Sequence, residues 1–322
     1  MKGLWLDGGV RLRDDLPEPR PGADEALVRV RLAGVCATDL ALVAGYAGHR
    51  GVLGHEFVGE IAAATQAPER VGERVVGEIN VGCGACDQCK ADRRGHCRRR
   101  EVLGIRGRDG AFAEYLALPL ANLFPVPESV PDECAVFCEP LAAALEITEQ
   151  IAIRPSDRVL VVGAGRLGQL IARTLRLTAC QLRVVARHAR QRELLAQIGV
   201  ERIAEGGVEE ASADIVVEAS GTAGGLALAR RALRPRGSLC LKSTYARPIE
   251  IDLASLVVDE IRLLGSRCGP FRPALRLLAQ GLVDPRPLID AHLPLDDAPE
   301  ALHRAAEAGT MKVLLDPMLE QR

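Results

Sequence analysis

The stretch SDRVLVVGAGRLGQLIARTLRLT, residues 156 to 178, constrains the fold of this chain more than any other. An apolar strand, Arg158 to Val162, runs into Gly163, Gly165 and Gly168 at G-x-G-x-x-G spacing. A helix follows, with apolar residues at Leu167, Leu170, Ile171 and Leu175. Glycines so placed allow a tight turn and let a pyrophosphate approach the backbone, where the helix N-terminus binds it. Gly163, Gly165, Arg166, Leu167 and Gly168 are therefore candidate cofactor-binding residues. The glycine pattern alone also fits a plain strand-to-helix turn, but further parallel-strand units follow it. They are LRVVAR (182 to 187), DIVVEAS (214 to 220), GSLCLKS (237 to 243) and IRLLGSR (261 to 267), with RIAEG (202 to 206) weaker. Helical stretches between several of them imply an α/β, doubly wound parallel sheet with a dinucleotide site at its C-terminal edge.

In this class of sheet, an acidic residue about twenty positions past the first glycine accepts the adenosine ribose hydroxyls of NAD and repels a 2′-phosphate. From Arg158 through Arg192 there is no acidic residue, and Ala186 stands where that carboxylate aligns. Arg187, His188 and Arg190 follow, and an arginine there suits a phosphate through charge-assisted hydrogen bonds. The expected cofactor is NADP(H) in preference to NAD(H).

Before this unit the texture changes. Residues 1 to about 130 hold short strand candidates (EALVRVRLAGV, EFVGEIAAA, RVVGEI) broken by Gly and Pro, which reads as a compact β-rich domain. Inside it, GCGACDQCKADRRGHC, residues 82 to 97, carries Cys83, Cys86, Cys89 and Cys97. Spacings of two residues let thiolates converge on one ion, and four sulfurs close a tetrahedral zinc shell, so this metal is expected to be structural. His96 is the alternative fourth ligand. The final fifty residues give one or two helices and a short terminal strand, KVLLD, that does not extend the parallel sheet.

Composition removes other classes. With 41 Lys plus Arg against 43 Asp plus Glu, the net charge of −2 supplies no field for nucleic acid or anionic lipid. The arginines around the cysteine lobe (93, 94, 98, 99 and 100) have no interleaved aromatics and read as a solvated face. No apolar run reaches membrane-spanning length, and the N-terminus has no signal-peptide core, so a cytoplasmic location is expected. Aromatics are only 3% of the chain, so its cores must be aliphatic.

The motifs GVCATDL (34 to 40), GHEFVGE (54 to 60), the cysteine lobe, CEPLAAAL (138 to 145) and VLVVGAGRLG (159 to 168) occur in one order along the whole chain. That pattern resembles the zinc-dependent medium-chain alcohol and polyol dehydrogenases. The resemblance implies a chaperonin-10-like catalytic domain (1–140, with the lobe at 82–97), a Rossmann domain (141–269) and a C-terminal segment (270–322) returning to the catalytic domain, with the active site in the cleft between domains. It also implies a second, catalytic zinc. Cys36, His55 and Glu139 would be ligands, with Glu56 either a fourth ligand or one exchanging with water; Cys138 is a minor candidate. Asp39 resembles the carboxylate that orients the histidine, and Thr38 the hydroxyl that passes the substrate proton onward. The histidine that ends such a relay falls near Ala41, which carries no proton, leaving water, His49 or Tyr46 for that step.

The implied reaction is hydride transfer between a secondary alcohol, polyol or sugar hydroxyl, or the matching carbonyl, and the nicotinamide cofactor. Two zinc ions per chain and a homodimer or homotetramer are further expectations. The alternatives are a zinc-free double-bond or quinone reductase of the same superfamily, or a non-catalytic dinucleotide-binding protein.

Overall fold

The computed structural model describes residues 1–245 and 248–319. The chain divides into two compact units, Met1–Glu139 with Phe271–Arg322, and Pro140–Pro270.

The first unit is built on the long strand Glu25–Gly34. Val28, Val30 and Leu32 are buried while Arg29 and Arg31 turn outward, the period-two alternation of a strand with one core face. Its antiparallel neighbours are Glu56–Ala64, Tyr115–Pro119 and, at its far end, Lys312–Asp316. The seven-stranded sheet is completed by Arg74–Gly77, Leu123–Pro125 and Ile289–Pro294. A three-stranded sheet of Val10–Arg13, Gly3–Leu6 and Gly51–Val52 accompanies it.

The C-terminal segment holds two helices, Phe271–Ala279 and Ala298–Ala306, and the terminal strand Lys312–Asp316, which joins this sheet and not the other. Strand Ile289–Pro294, absent from the reading of the sequence, pairs parallel with Lys312–Asp316. Parallel neighbours need a crossover, and the helix Ala298–Ala306 supplies it. Its Ala298, Ala301, Leu302 and Ala305, spaced i, i+3, i+4 and i+7, face the same aliphatic core as Val28, Val30, Ile61 and Leu118.

The second unit is a six-stranded, all-parallel sheet. Its order is Glu201–Ile203, Gln181–Val185, Arg158–Val162, Ala213–Glu218, Leu233–Leu241, Arg262–Gly265. Each expected strand is present, with ends shifted by a few residues. Taken in chain order this is 3-2-1-4-5-6, the doubly wound arrangement whose direction of winding reverses beside the first strand. Helices Arg166–Leu175, Ala189–Gln197 and Ala223–Ala232 connect the strands. No helix among the described residues is long and apolar enough to cross a membrane.

The motif glycines differ in what they do for packing. A Cβ at Gly168 would lie 2.0 Å from the carbonyl oxygen of Gly163, so any side chain there forces the helix away from the strand-turn backbone. A Cβ at Gly165 would meet no atom within 4 Å. Gly168→Ala is therefore expected to lower the unfolding free energy by about 1–3 kcal/mol. Gly165→Ala is expected to change it by less than about 1 kcal/mol, read from urea midpoints. Equal costs for the two would contradict this division of labour.

Candidate active site and metal centres

The strand Glu25–Gly34 ends one residue before Val35, and Cys36 then caps the helix Ala37–Val43. Asp39, three residues into that start, is fully buried and does two things at once. Its Oδ2 accepts the backbone N–H of Cys36 at 2.8 Å, the return half of a capping box. Its Oδ1 lies 3.1 Å from Nδ1 of His55. The imidazole thereby has Nδ1 engaged and Nε2 available as a metal donor. Burial disfavours the charged ring, but Asp39 and Cys36 outweigh it and raise the His55 pKa well above its ordinary value.

Glu56 begins its strand directly opposite Gly34, and a Cβ at Gly34 would stand 2.5 Å from Glu56 Oε2. The sheet register thus brings together what the sequence separates. One donor atom from each of Cys36, His55 and Glu56 falls within 4.8 Å of the others. A thiolate, an imidazole and a carboxylate make a three-ligand set suited to a zinc ion with an open position.

Glu139 lies outside that set but feels its charges. Burial pushes its carboxyl up to about 7, with His55 and Lys312 opposing and Glu56 and Glu78 reinforcing the rise. The neighbouring Cys138 is buried, with its sulfur 3.8 Å from the carbonyl of Phe271, and burial raises its thiol pKa far above the usual range. It is not in the donor set. Thr38 Oγ1 is 3.7 Å from the Cys36 sulfur. His49 Nε2 is 3.1 Å from the carbonyl of Val52, and Tyr46 is exposed.

Lys312 is a residue that the sequence alone does not reveal. It opens the terminal strand, is almost wholly buried, forms an ion pair with Glu56 and donates to the carbonyl of Val35 at 3.2 Å. Its ammonium also lies 5.5 Å from the centre of the Phe137 ring. Only the return of the C-terminal segment to Gly34 places it there, so no local motif announces it.

The cysteine lobe is assembled locally. Its two ends are tied by the antiparallel strands Asn80–Val81 and Glu101–Leu103. One sulfur from each of Cys83, Cys86, Cys89 and Cys97 falls within 4.8 Å of the rest, and His96 is outside the set. Cys86 caps the short helix Asp87–Lys90, which explains the two-residue spacing to Cys89. Backbone N–H groups of Ala85 and Cys86, then Arg99 and Cys97, lower the Cys83 pKa to about 5. Arg99 donates to that sulfur at 3.3 Å, so one of the lobe's arginines serves the cysteine cluster itself. The thiolate is thus favoured at Cys83, whereas burial and the neighbouring thiols push Cys89 up to about 11, so the four sulfurs do not ionise alike without a cation between them.

In the second unit Gly165, which has no side chain to cap with, precedes the helix Arg166–Leu175. The helix has no acidic residue in its first turn. Open space at Gly165 and the positive end of the helix dipole fit a pyrophosphate. Arg166 and Leu167, half-buried, form the first turn of this helix with Gly168.

At the end of strand Gln181–Val185, Ala186 is buried and Arg187 and His188 are exposed. Gln191 Oε1 accepts the backbone N–H of Arg187 at 3.1 Å and of His188 at 3.2 Å, fixing the turn into the next helix, where Arg190 is half-buried. Beside the first strand, buried Glu218 accepts from Ser220 and Gly221 backbone N–H groups and from the Tyr245 hydroxyl at 2.6 Å. Sequence reading had taken it only as part of a strand.

Residues 22–128 match the alcohol dehydrogenase GroES-like domain. L-threonine 3-dehydrogenase of Streptomyces avermitilis is 31% identical over 98% of this chain and 96% of its own length. Sorbitol dehydrogenase of Halalkalibacterium halodurans is 28% identical over 94% of each chain. Among solved structures, a zinc-binding dehydrogenase from Sinorhizobium meliloti bound to NADP superposes with a TM-score of 0.90 at 30% identity, covering 98% of this chain and 99% of that one. Together with a GroES-like domain and a Rossmann sheet, these relationships establish that the chain belongs to the zinc-dependent medium-chain dehydrogenase family and is an alcohol dehydrogenase-type oxidoreductase.

Proposed function

We propose that this enzyme interconverts a small polar secondary alcohol and its ketone, using a zinc site formed by Cys36, His55 and Glu56, with Glu139 beside it. The observation that carries the reading is the convergence of those three donor atoms within 4.8 Å, with Asp39 behind the histidine. A zinc ion held there would supply Lewis acidity toward a bound alcohol, and a nicotinamide cofactor would supply the hydride chemistry. The chain's own groups position and neutralise. Asp39 fixes the His55 tautomer and the Cys36 backbone together. Thr38 offers a hydroxyl beside the cysteine for the departing proton. Lys312 balances Glu56 and so holds that carboxylate ready as a ligand. A zinc-free reductase is disfavoured, since it has no use for this donor set.

The threonine and sorbitol dehydrogenase relatives support a hydroxyl-rich or amino alcohol as substrate. The four-cysteine lobe is proposed to hold a second, structural zinc. NADP(H) is the proposed cofactor, supported by the absence of an acidic residue at Ala186 and by Arg187, His188 and Arg190 beyond it. Self-association is proposed through the open edge strand Arg262–Gly265, whose Leu263 is exposed alongside Leu253, Val257 and Val258 of the helix Leu253–Val258. A strand edge with no neighbour among the described residues, beside an apolar patch, is complementary to a second copy across a two-fold axis.

Purified protein is expected to contain about two zinc ions per chain. Cys36→Ser should lose one zinc and turnover while unfolding at nearly the native temperature; Cys86→Ser should lose the other and lower Tm by about 5 °C or more. Active protein with one zinc or none would defeat the two-site reading. Assayed on threonine, sorbitol and 2,3-butanediol, the enzyme is expected to show higher kcat/KM with NADP than with NAD for whichever it accepts; the reverse order would remove the cofactor assignment alone. In light scattering, Val258→Glu is expected to shift the protein toward monomer, and an unchanged assembly would rule out this edge as the contact.

A further inference from the structure

Parallel strands in register carry their ends to the same place. Val185 pairs with Ile203, so the residues two positions beyond each, Arg187 and Glu205, emerge side by side at the C-terminal edge of the sheet. There the Arg187 Nε donates to Glu205 Oε1, and the pair stands in solvent, with Arg187 56% and Glu205 47% exposed. The Arg187 backbone is fixed by Gln191 on its N–H and by Arg192, whose guanidinium donates to the Arg187 carbonyl at 2.5 Å. The guanidinium therefore projects from a rigid turn toward a carboxylate delivered by a different strand. The acidic residue missing at Ala186 is, in effect, supplied one strand further along.

We propose that Glu205 is a specificity-determining residue for the 2′ position of the cofactor, its carboxylate competing with a 2′-phosphate for the Arg187 guanidinium. This rests on the assignment of residues 186–190 to the adenosine ribose. An exposed Arg–Glu pair contributes little, so a phosphate displaces it without large cost, yet the displaced carboxylate stays close enough to repel the incoming charge. With a cofactor that lacks the phosphate, the pair persists and nothing is lost. Glu205 thus narrows the advantage that Arg187 gives to NADP(H), and the ratio of the two affinities is set by both residues.

The test is calorimetric binding of 2′,5′-ADP and 5′-AMP, which differ by the 2′-phosphate alone, to native protein, Glu205→Gln, Arg187→Ala and the double variant at one fixed salt concentration. Glu205→Gln is expected to tighten 2′,5′-ADP about five-fold or more and to leave 5′-AMP within about two-fold. The gain should shrink in the Arg187→Ala background. If native protein shows no preference for 2′,5′-ADP but Glu205→Gln does, the NADP reading fails and the role of Glu205 stands. If Glu205→Gln leaves 2′,5′-ADP binding unchanged or weaker, or the gain persists in full without Arg187, the proposal is overturned, and the native ratio alone then decides the cofactor reading.

Discussion

Three strands meet at Gly34, and the candidate catalytic centre depends on that junction. Gly34 pairs with Glu56 on one side and with Leu314 on the other. Cys36 lies two residues beyond it, His55 one residue before Glu56, and Lys312 two residues before Leu314. A side chain at position 34 would occupy the space of the Glu56 carboxylate. Burying Glu56 and Lys312 together is tolerable because each compensates the other; removing one partner of such a pair typically costs about 3–5 kcal/mol. The acid kept in this apolar setting is therefore tied to the closure of the sheet by the C-terminal strand.

The two cysteine-containing clusters differ in how they are assembled. The lobe draws all its sulfurs from residues 83 to 97, and its geometry follows from one short helix, a few backbone donors and a pair of strands at its base. The set at Cys36, His55 and Glu56 draws on two separate segments whose approach is fixed only by sheet register, with Asp39 linking them. Local assembly suits a clip that holds a loop. Assembly across the sheet suits a site whose donors must keep fixed positions while one coordination place stays open.

What could be read from the sequence follows the same distinction. The glycine turn, the parallel strands and the cysteine lobe carry their physics in contiguous residues: the strands form the parallel sheet, and the four sulfurs lie within 4.8 Å of one another. The pairing of Lys312 with Glu56 spans 256 residues, and nothing near either one signals it. Strand Ile289–Pro294 was missed because His292 and Asp290 interrupt an already short apolar pattern. Glu205 was invisible for a related reason: whether a charge at the end of one strand meets Arg187 depends on the register Val185–Ile203, which composition and spacing do not encode. Asp39, by contrast, sits three residues from Cys36, and its role in the capping geometry is local enough to be anticipated.

The proposed function needs a mixed-ligand metal site at Cys36, His55 and Glu56 in addition to the all-sulfur site of the lobe. Anomalous diffraction at the zinc edge from crystals of the active enzyme tests it most directly. Two peaks per chain are expected, one enclosed by Cys83, Cys86, Cys89 and Cys97, the other within about 2.0–2.4 Å of the Cys36 sulfur, the His55 Nε2 and a carboxylate oxygen. A single peak in the lobe, with none between Cys36 and His55 in protein that turns over alcohol, would contradict it.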